Sequence, residues 1–143
     1  MHSGIYFFKA DTKFRFSKRV QVAGWIKSIV KAEGKRCGDI IFVFCSDKYL
    51  LQLNRRFLNH EYFTDVITFD YSSGKVISGE IYISIDRIKE NAFELGVAFR
   101  VELNRVIIHG VLHLIGYSDS TKAQKKAMRL KEDACLSLLH SST

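Results

Sequence analysis

Proline is absent from this 143-residue sequence, which also lacks internal repeats and low-complexity segments. Proline-rich stretches, repeats and low-complexity segments often mark linkers and domain boundaries. Their absence leaves no sign that the chain is divided into domains. A hydrophobic fraction of 47% and a charged fraction of 26% are typical of a folded domain with a core and argue against disorder. The length suits one compact unit. We therefore predict a single domain spanning residues 1–143.

Cysteine is scarce, with three residues that form no CxxC pair. An odd number of scattered cysteines argues against a disulfide framework. Cys45 ends the apolar run that starts at Ile40, and it is predicted to be a small buried hydrophobe. The sequence shows no signal-peptide pattern and no apolar stretch of membrane-spanning length. We therefore expect a cytoplasmic protein with no membrane partner.

Acidic residues are almost missing from the first quarter of the chain. Residues 1–36 contain two acids against nine lysines and arginines, so this quarter accounts for the whole net charge of +7. Such a region attracts polyanions, because binding to phosphates releases condensed counterions. A solvated helix face that only aids solubility explains the composition equally well. The nine basic residues are Lys9, Lys13, Arg15, Lys18, Arg19, Lys27, Lys31, Lys35 and Arg36.

Hydrophobic periodicity predicts four strands and five helices. The strands are predicted at Ile5–Phe8, Asp39–Cys45, Asp65–Tyr71 and Gly79–Ser84. The helices are predicted from a cap at Ser17 to Gly34, after a cap at Ser46, from Asp86 to Gly96, through Leu103 to Gly116, and from about Thr121 to Leu139. Strands come mostly early and helices dominate late. This order favours an α+β fold, with a small mixed sheet packed by helices.

Two histidines four residues apart define the candidate metal site. On a helix, His109 and His113 share one face and can aim their imidazoles at one point. Gly116 can end the helix and turn the chain back, so Asp119 can bring a carboxylate oxygen to the same point. Two nitrogens and one oxygen would leave a fourth position for water, as in catalytic rather than structural zinc sites. The prediction is a transition-metal site on the C-terminal helix and the turn after it.

Residue types and spacing alone leave an alternative, in which both histidines are buried in the core with hydrogen-bond partners and bind no metal. A protease of the HExxH type is disfavoured, because the position of its glutamate base is occupied by Gly110. Any base must therefore be metal-bound hydroxide or a group elsewhere in the chain.

Three blocks of this sequence resemble the YbeY family. Residues 109–117 are similar to its signature HGxLHLxGYDH, which carries three metal-binding histidines. Residues 53–69 resemble its LNxxxR…TDVLSF segment, and residues 79–84 resemble its GDIxIS strand. The blocks occur in the family's order and cover roughly residues 40–135.

The resemblance implies a small α+β fold with one bound transition metal per chain. That metal is usually zinc, and another divalent transition metal is the alternative. The resemblance also implies a single-strand-specific endoribonuclease that matures ribosomal RNA, chiefly the 3′ end of the small-subunit RNA, and takes part in ribosome quality control. The implied partners are RNA, chiefly ribosomal RNA, and the ribosome or ribosomal proteins.

The chain departs from the family pattern at two positions. Asp119 stands where the family has its third histidine, so the predicted ligands are His109, His113 and Asp119. Leu58 stands where the family usually has an arginine implied to assist catalysis. Arg55 and Arg56 are the candidates to contact phosphate instead, and an exposed helix face is an equal alternative for both.

Other residues have weaker claims to the site. Thr64 and Asp65 match a family block near it, and Asp65 either hydrogen-bonds a histidine or fixes a turn. Glu102 precedes His109 by seven residues and therefore lies on the same helix face, where it either supports a histidine by a hydrogen bond or is simply exposed. Tyr117 either stacks on a base or packs against the turn. The spacing enlists neither His2 nor His140, nor His60 in the loop between matched blocks.

The predicted reaction is metal-assisted hydrolysis of an RNA phosphodiester, with an arginine stabilising charge on the phosphate. One rival is a non-catalytic ribosome-assembly factor, in which a closed four-ligand metal site only holds the C-terminal helices together. Another rival is a metal-dependent hydrolase of a small molecule, which predicts a deep enclosed pocket rather than an open basic groove.

Overall fold

The structure is a computed structural model that describes residues 4–141, with side chains up to residue 139. His2 and the side chain of His140 lie outside the described part. Within it, one four-stranded sheet is covered by five helices in a single domain. The strands are β1 (Ile5–Lys9), β2 (Arg36–Cys45), β3 (Val66–Asp70) and β4 (Val76–Ser84). The helices are α1 (Arg19–Ala32), α2 (Asp47–Leu58), α3 (Ile85–Leu95), α4 (Phe99–Ile115) and α5 (Lys122–Ser141).

The sheet is mixed, and its strand order is β1-β2-β4-β3. β2 pairs in parallel with both β1 and β4, whereas β3 runs antiparallel to β4 at one edge. Parallel neighbours need long crossover connections, and α1 and α2 each form part of one. The predicted α+β class with a small mixed sheet is confirmed.

The two faces of the sheet are covered by different helices. Phe42 and Ile81 pair across the central strands on one face and are fully buried in the main core, to which α1, α4 and α5 also contribute. Ile67 and Tyr82 pair on the opposite face, where Leu50 of α2 packs against them. Each large apolar side chain that is fully buried contributes about 1.5–3 kcal/mol of transfer free energy. The larger core therefore lies beneath α4, the helix that carries both histidines.

Two glycines allow α4 to lie directly on the sheet. A Cβ at Gly110 would be 2.9 Å from Ile81 Cγ2, and a Cβ at Gly79 of β4 would be 2.8 Å from Leu114 Cδ2. Methyl groups at these distances would force the helix and the strand apart. The contact at Gly110 also explains why no glutamate base stands beside His109, because a side chain at that position would collide with the sheet.

The structure contains all nine predicted elements, and only their ends differ from the prediction. The predicted cap at Ser46 is confirmed, since its Oγ accepts a hydrogen bond from the backbone N–H of Tyr49 at 3.1 Å. The predicted cap at Ser17 is wrong, because α1 begins two residues later and has no side-chain cap. Phe16 packs against the core just before that helix, so a tertiary contact rather than a cap determines where it begins.

The three cysteines are free, as the sequence predicts. Cys45 is fully buried, and burial, reinforced by nearby carboxylates, raises the pKa of its thiol to about 12. Its predicted role as a small buried hydrophobe is confirmed. None of the helices in residues 4–141 has the length and apolar character needed to cross a bilayer.

Candidate metal centre

The three residues predicted as metal ligands meet at one point. His109 Nε2 lies 3.1 Å from His113 Nε2, and Asp119 Oδ2 lies 3.3 Å and 3.4 Å from these two nitrogens. Among the side chains that the structure describes, these form the one group of three or more histidine, cysteine or acidic residues able to hold a metal ion. The atoms that converge are all electron-pair donors, which is the arrangement that a cation stabilises.

The histidines are held by a rigid, deeply packed helix. Their rings stand nearly perpendicular to each other, at 79°, with centroids 4.6 Å apart. Helix α4 is buried along most of its length, yet the side chains of His109 and His113 remain 22% and 29% exposed. The pair therefore faces solvent from an otherwise apolar helix, and the alternative of two core histidines does not describe them.

The turn after α4 brings Asp119 back toward the histidines. Gly116 ends the helix with a φ of 123°, which a residue with a side chain rarely adopts, and its N–H bonds to the Leu112 carbonyl at 3.1 Å. At the far end of the turn, the Thr121 Oγ1 accepts a hydrogen bond from the N–H of Gln124 in the first turn of α5. The loop is thus fixed at both ends, and the predicted glycine turn is confirmed.

Tyr117 helps to hold this turn and does not reach the candidate centre. Its hydroxyl donates a hydrogen bond of 2.5 Å to Glu33 at the end of α1, and the other oxygen of Glu33 accepts from Lys131 at 3.1 Å. The hydrogen bond from Tyr117 and the charge of Lys131 lower the pKa of Glu33 despite some burial. Of the two predicted roles for Tyr117, packing against the turn is the one that the contacts support.

Glu132 of α5 orients the first histidine from behind. Its Oε2 lies 2.6 Å from His109 Nδ1, and the residue is only 4% exposed. When Nδ1 carries the ring proton and donates a hydrogen bond to this carboxylate, the free lone pair is on Nε2, the atom that faces Asp119. Burial disfavours the charged imidazole, but the hydrogen bond and charge of Glu132, with the nearby aspartates, raise the pKa of His109 overall.

Arg105 balances the buried charge of Glu132. Its guanidinium reaches Glu132 Oε1 at 3.0 Å and Asp133 Oδ1 at 2.9 Å. Glu102 is also buried, and its Oε1 lies 3.8 Å from Arg105 Nε. Burial raises the pKa of Glu102, and the charge of Arg105 opposes that shift. Among the described side chains, Glu132 makes the hydrogen bond to a histidine that the sequence had suggested for Glu102.

An open cleft of about 500 Å³ surrounds the three converging side chains. Asp65 lines it, and burial raises the pKa of this carboxyl although the nearby charge of His109 opposes the shift. Asp65 receives a long hydrogen bond from Asn91 at 3.4 Å. The other lining residues are Asn54, Leu58, His60, Tyr62, Thr64, Val66, Ile67, Thr68 and Asp70. The predicted neighbours Thr64 and Asp65 therefore lie beside the candidate centre.

The two arginines predicted to act in catalysis are exposed on α2 and are not among the residues that line this cleft. Asn54 and Leu58 line it from that helix, and about 100° of rotation per residue places Arg55 beside their face and Arg56 on the far side. Arg56 lies over the ring of Phe57 at 5.3 Å. Arg55 is thus closer to the cleft face than Arg56, and the catalytic role of both stays a prediction.

The basic residues near the centre come from α4 and α5 and not from the first quarter of the chain. An adjoining cleft of about 320 Å³ shares His109, Asp119 and Asp65 with the first cleft and adds Arg105 of α4 with Lys125 and Arg129 of α5. None of the nine basic residues of the N-terminal quarter lines either cleft among the described residues. The structure therefore gives a different source of positive charge from the one that the sequence suggested.

Sequence reasoning missed Glu132, Arg105, Lys125 and Arg129. One signal was present for Glu132, which lies four residues after Met128 and three before Cys135, both buried. A charged residue within an apolar helical stripe needs a buried partner. For the three basic residues, the sequence contained no comparable signal.

Known proteins resemble this chain in sequence and in fold. The family model described as "Endoribonuclease YbeY" matches residues 8–140. A protein of that name from Cytophaga hutchinsonii is 50% identical over 135 residues, covering 94% of each chain. Another from Flavobacterium psychrophilum is 47% identical over 133 residues, covering 93% of this chain and 95% of the relative.

A solved structure shows the same fold. The solution structure of TM1509 from Thermotoga maritima has a TM-score of 0.69 and 30% sequence identity, covering 96% of this chain and 90% of the other. The family match spans β2, β3, β4 and α4 in full and α5 as far as residue 140, and so includes every residue of the candidate centre. The resemblance first suggested by the three sequence blocks is confirmed: this chain belongs to the YbeY family.

Proposed function

We propose that this chain is a metal-dependent endoribonuclease that cleaves single-stranded RNA during ribosomal RNA maturation. The observation that carries the proposal is the triangle of His109 Nε2, His113 Nε2 and Asp119 Oδ2, three residues that line an open cleft. Relatives up to 50% identical over nearly the whole chain are named Endoribonuclease YbeY.

The triangle has the dimensions of a transition-metal site. Ligands at about 2.0–2.1 Å from a tetrahedral zinc ion lie roughly 3.3 Å from one another. The three separations in this protein are 3.1, 3.3 and 3.4 Å. Two imidazole nitrogens and one carboxylate oxygen also suit zinc chemically, and other divalent transition metals accept the same set. We therefore propose one ion per chain, with zinc as the first choice.

Asp119 takes the place of the family's third histidine in this proposal. Its side chain is 37% exposed, so replacing it should leave the fold intact. We expect Asp119→Asn to weaken zinc affinity by at least about tenfold, because a neutral amide oxygen is a poorer ligand than a carboxylate. Asp119→His should keep affinity close to that of the unmodified protein. Competition with a chromogenic chelator measures both, and unchanged affinity in Asp119→Asn would show that Asp119 is not a ligand.

The surrounding residues have separate roles in the proposed reaction. Glu132 holds the ring of His109, and Arg105 holds Glu132. Lys125 and Arg129 line the adjoining cleft, where they can bind phosphates on one side of the triangle. Arg55 of α2, which lies beside the face formed by Asn54 and Leu58, is the candidate to bind phosphate at the first cleft. A bound divalent ion would lower the pKa of a coordinated water and polarise a phosphoryl oxygen.

The openness of the centre supports an enzyme over the two rivals. Three ligand atoms converge, and their side chains are 22–37% exposed, which leaves room for an exchangeable ligand. A purely structural zinc site usually has four protein ligands and is closed. A hydrolase of small molecules would be expected to enclose its substrate, whereas this cleft is open to a polymer.

The biological setting completes the proposal. The substrate would be ribosomal RNA, chiefly the 3′ end of the small-subunit RNA, in the cytoplasm and on the ribosome or with ribosomal proteins. A part in ribosome quality control belongs to the same proposal, as does the assignment of residues 1–143 to one catalytic domain.

Metal removal tests the proposed activity directly. We expect zinc-loaded protein to cleave a single-stranded RNA oligonucleotide and to leave its duplex intact. Chelation should reduce cleavage to background, and stoichiometric zinc should restore it, because the proposed reaction depends on the ion to activate water. Gel electrophoresis of end-labelled RNA measures each step. If the protein holds zinc stoichiometrically but does not cut RNA, the result would contradict the proposed endoribonuclease activity and favour a non-catalytic ribosome-assembly factor.

A further inference from the structure

Large apolar side chains are exposed together in one short segment beside the cleft. Between residues 57 and 63, Phe57, Leu58, Tyr62 and Phe63 are 56%, 42%, 56% and 53% exposed. A cluster of exposed apolar groups commonly marks a binding surface, whereas isolated ones need no explanation. The segment joins α2 to β3 and contributes three residues to the lining of the cleft: Leu58, His60 and Tyr62.

Two of these exposed aromatic rings have partners within the protein. Phe57 meets Phe69 edge to face, with ring centroids 5.8 Å apart. Phe63 lies under the guanidinium of Arg87 at 5.4 Å. Neither of these phenylalanines lines the cleft, where His60 and Tyr62 are the two rings of the segment.

The rings of His60 and Tyr62 are stacked and nearly parallel. Their centroids are 5.0 Å apart and their planes differ by 21°, and the Tyr62 hydroxyl lies 3.0 Å from His60 Nδ1. Tyr62 nevertheless remains 56% exposed, so part of its ring is available to another flat group. Nucleic acid bases stack on such rings with little regard to sequence, because every base has a π face.

Hydrogen bonds to Asn54 hold the loop that carries the ring pair. Asn54, only 1% exposed, donates from Nδ2 to the Tyr62 carbonyl at 2.9 Å. The Asn54 carbonyl accepts from the N–H of His60 at 3.1 Å, and Asn59 between them adopts a left-handed conformation with a φ of 55°. A buried side chain therefore organises an exposed loop. Rings that are ordered before binding cost less conformational entropy when a base stacks on them.

We infer that the His60–Tyr62 ring pair is a stacking site for an unpaired RNA base next to the His109, His113 and Asp119 triangle. The inference rests on the proposed function for its substrate and adds the residues that select single strands. In a duplex each base is stacked between its neighbours, so its π faces are not accessible. Only an unpaired base can therefore stack on the His60–Tyr62 rings. The rings and the triangle line one continuous cleft, which favours RNA over a protein partner as the occupant.

Binding of an oligonucleotide tests the inference apart from cleavage. The probe is a fluorescent 2′-O-methyl oligouridylate, with one version carrying an abasic position, and anisotropy is read with zinc-loaded protein. Tyr62→Leu should weaken binding of the intact probe about tenfold, as expected for the loss of one stacked base. Tyr62→Phe keeps the ring and should bind within about twofold of the unmodified protein. Phe93→Leu, which removes an 87% exposed ring on α3 away from both clefts, is the matched control.

The abasic probe separates stacking from general damage. When the abasic position falls on the ring pair, the difference between unmodified protein and Tyr62→Leu should disappear. Scanning that position along the probe with unmodified protein gives the same information if Tyr62→Leu does not fold. Equal binding by unmodified protein and Tyr62→Leu, or no preference between intact and abasic probes, would overturn the inference and leave the segment as a surface for a protein partner. Stacking in a protein that does not cut RNA would contradict the proposed activity alone.

Discussion

Replacing His113 by alanine is expected to abolish metal binding and RNA cleavage together. His113 Nε2 is one of three ligand atoms, and the remaining pair, His109 Nε2 and Asp119 Oδ2, cannot form a stable site with water alone. Loss of a residue that merely orients a ligand costs about 10–100-fold in metal affinity, so loss of the ligand itself should cost more than about a hundredfold. Bound zinc, measured after dialysis, should fall from one ion per chain to background.

The control for this experiment lies on the same helix. Arg100 is exposed in the first turn of α4, and Arg100→Ala should keep both zinc and cleavage. The side chain of His113 is 29% exposed, so His113→Ala should melt close to the metal-free unmodified protein in a thermal scan. Stoichiometric zinc in a folded His113→Ala protein would exclude this residue as a ligand. Loss of zinc with undiminished cleavage would separate the metal from the reaction.

Replacing Glu132 by alanine should weaken zinc binding by about 10–100-fold, although Glu132 is not itself a metal ligand. The hydrogen bond of 2.6 Å from His109 Nδ1 to Glu132 holds the ring so that Nε2 faces the other ligands. Without this acceptor, the ring can rotate and can carry its proton on either nitrogen. Chelator competition measures the affinity, and nitrogen chemical shifts of labelled imidazoles report which nitrogen of His109 is protonated. Glu132→Gln retains an acceptor oxygen and should recover part of the affinity.

Asp133 provides a matched control one residue away. It shares Arg105 with Glu132, at 2.9 Å and 3.0 Å respectively, but its side chain is 54% exposed. An exposed ion pair contributes roughly 0–1 kcal/mol, so Asp133→Ala should change zinc affinity by less than about threefold. Equal losses of affinity in the two variants would mean that the ion pairs of Arg105, and not the bond to the histidine, matter for the metal. Unchanged affinity and protonation pattern in Glu132→Ala would remove its positioning role.

Local sequence patterns predicted the elements of this fold well. Helical and strand periodicities depend on neighbouring residues, and all nine elements were found with errors only at their ends. The wrong cap at Ser17 shows where such reasoning stops, because Phe16 packs into the core and the helix begins later than its capping pattern indicates. The antiparallel position of β3 at the sheet edge could not be deduced, since strand order depends on contacts between distant segments.

The candidate site also has parts that local sequence predicted and parts that depend on contacts between distant segments. A spacing of four residues on α4 determined that His109 and His113 face one point, and the glycine turn determined that Asp119 could return to them. These relations span eleven residues of chain, and the conformation of so short a segment follows from local rules. The sequence by itself therefore determined the three candidate ligands, and its motif indicated the family.

Only the tertiary structure decided what surrounds those ligands. The packing of α5 against α4 brought Glu132 to His109 across 23 residues of sequence, and placed Arg105 against Glu132 across 27. The same packing put Lys125 and Arg129 of α5 beside the centre, although the sequence concentrates positive charge at the other end of the chain. Burial makes such pairings obligatory, because a charge removed from water needs a partner, but only the three-dimensional packing of the helices determines which residue that partner is.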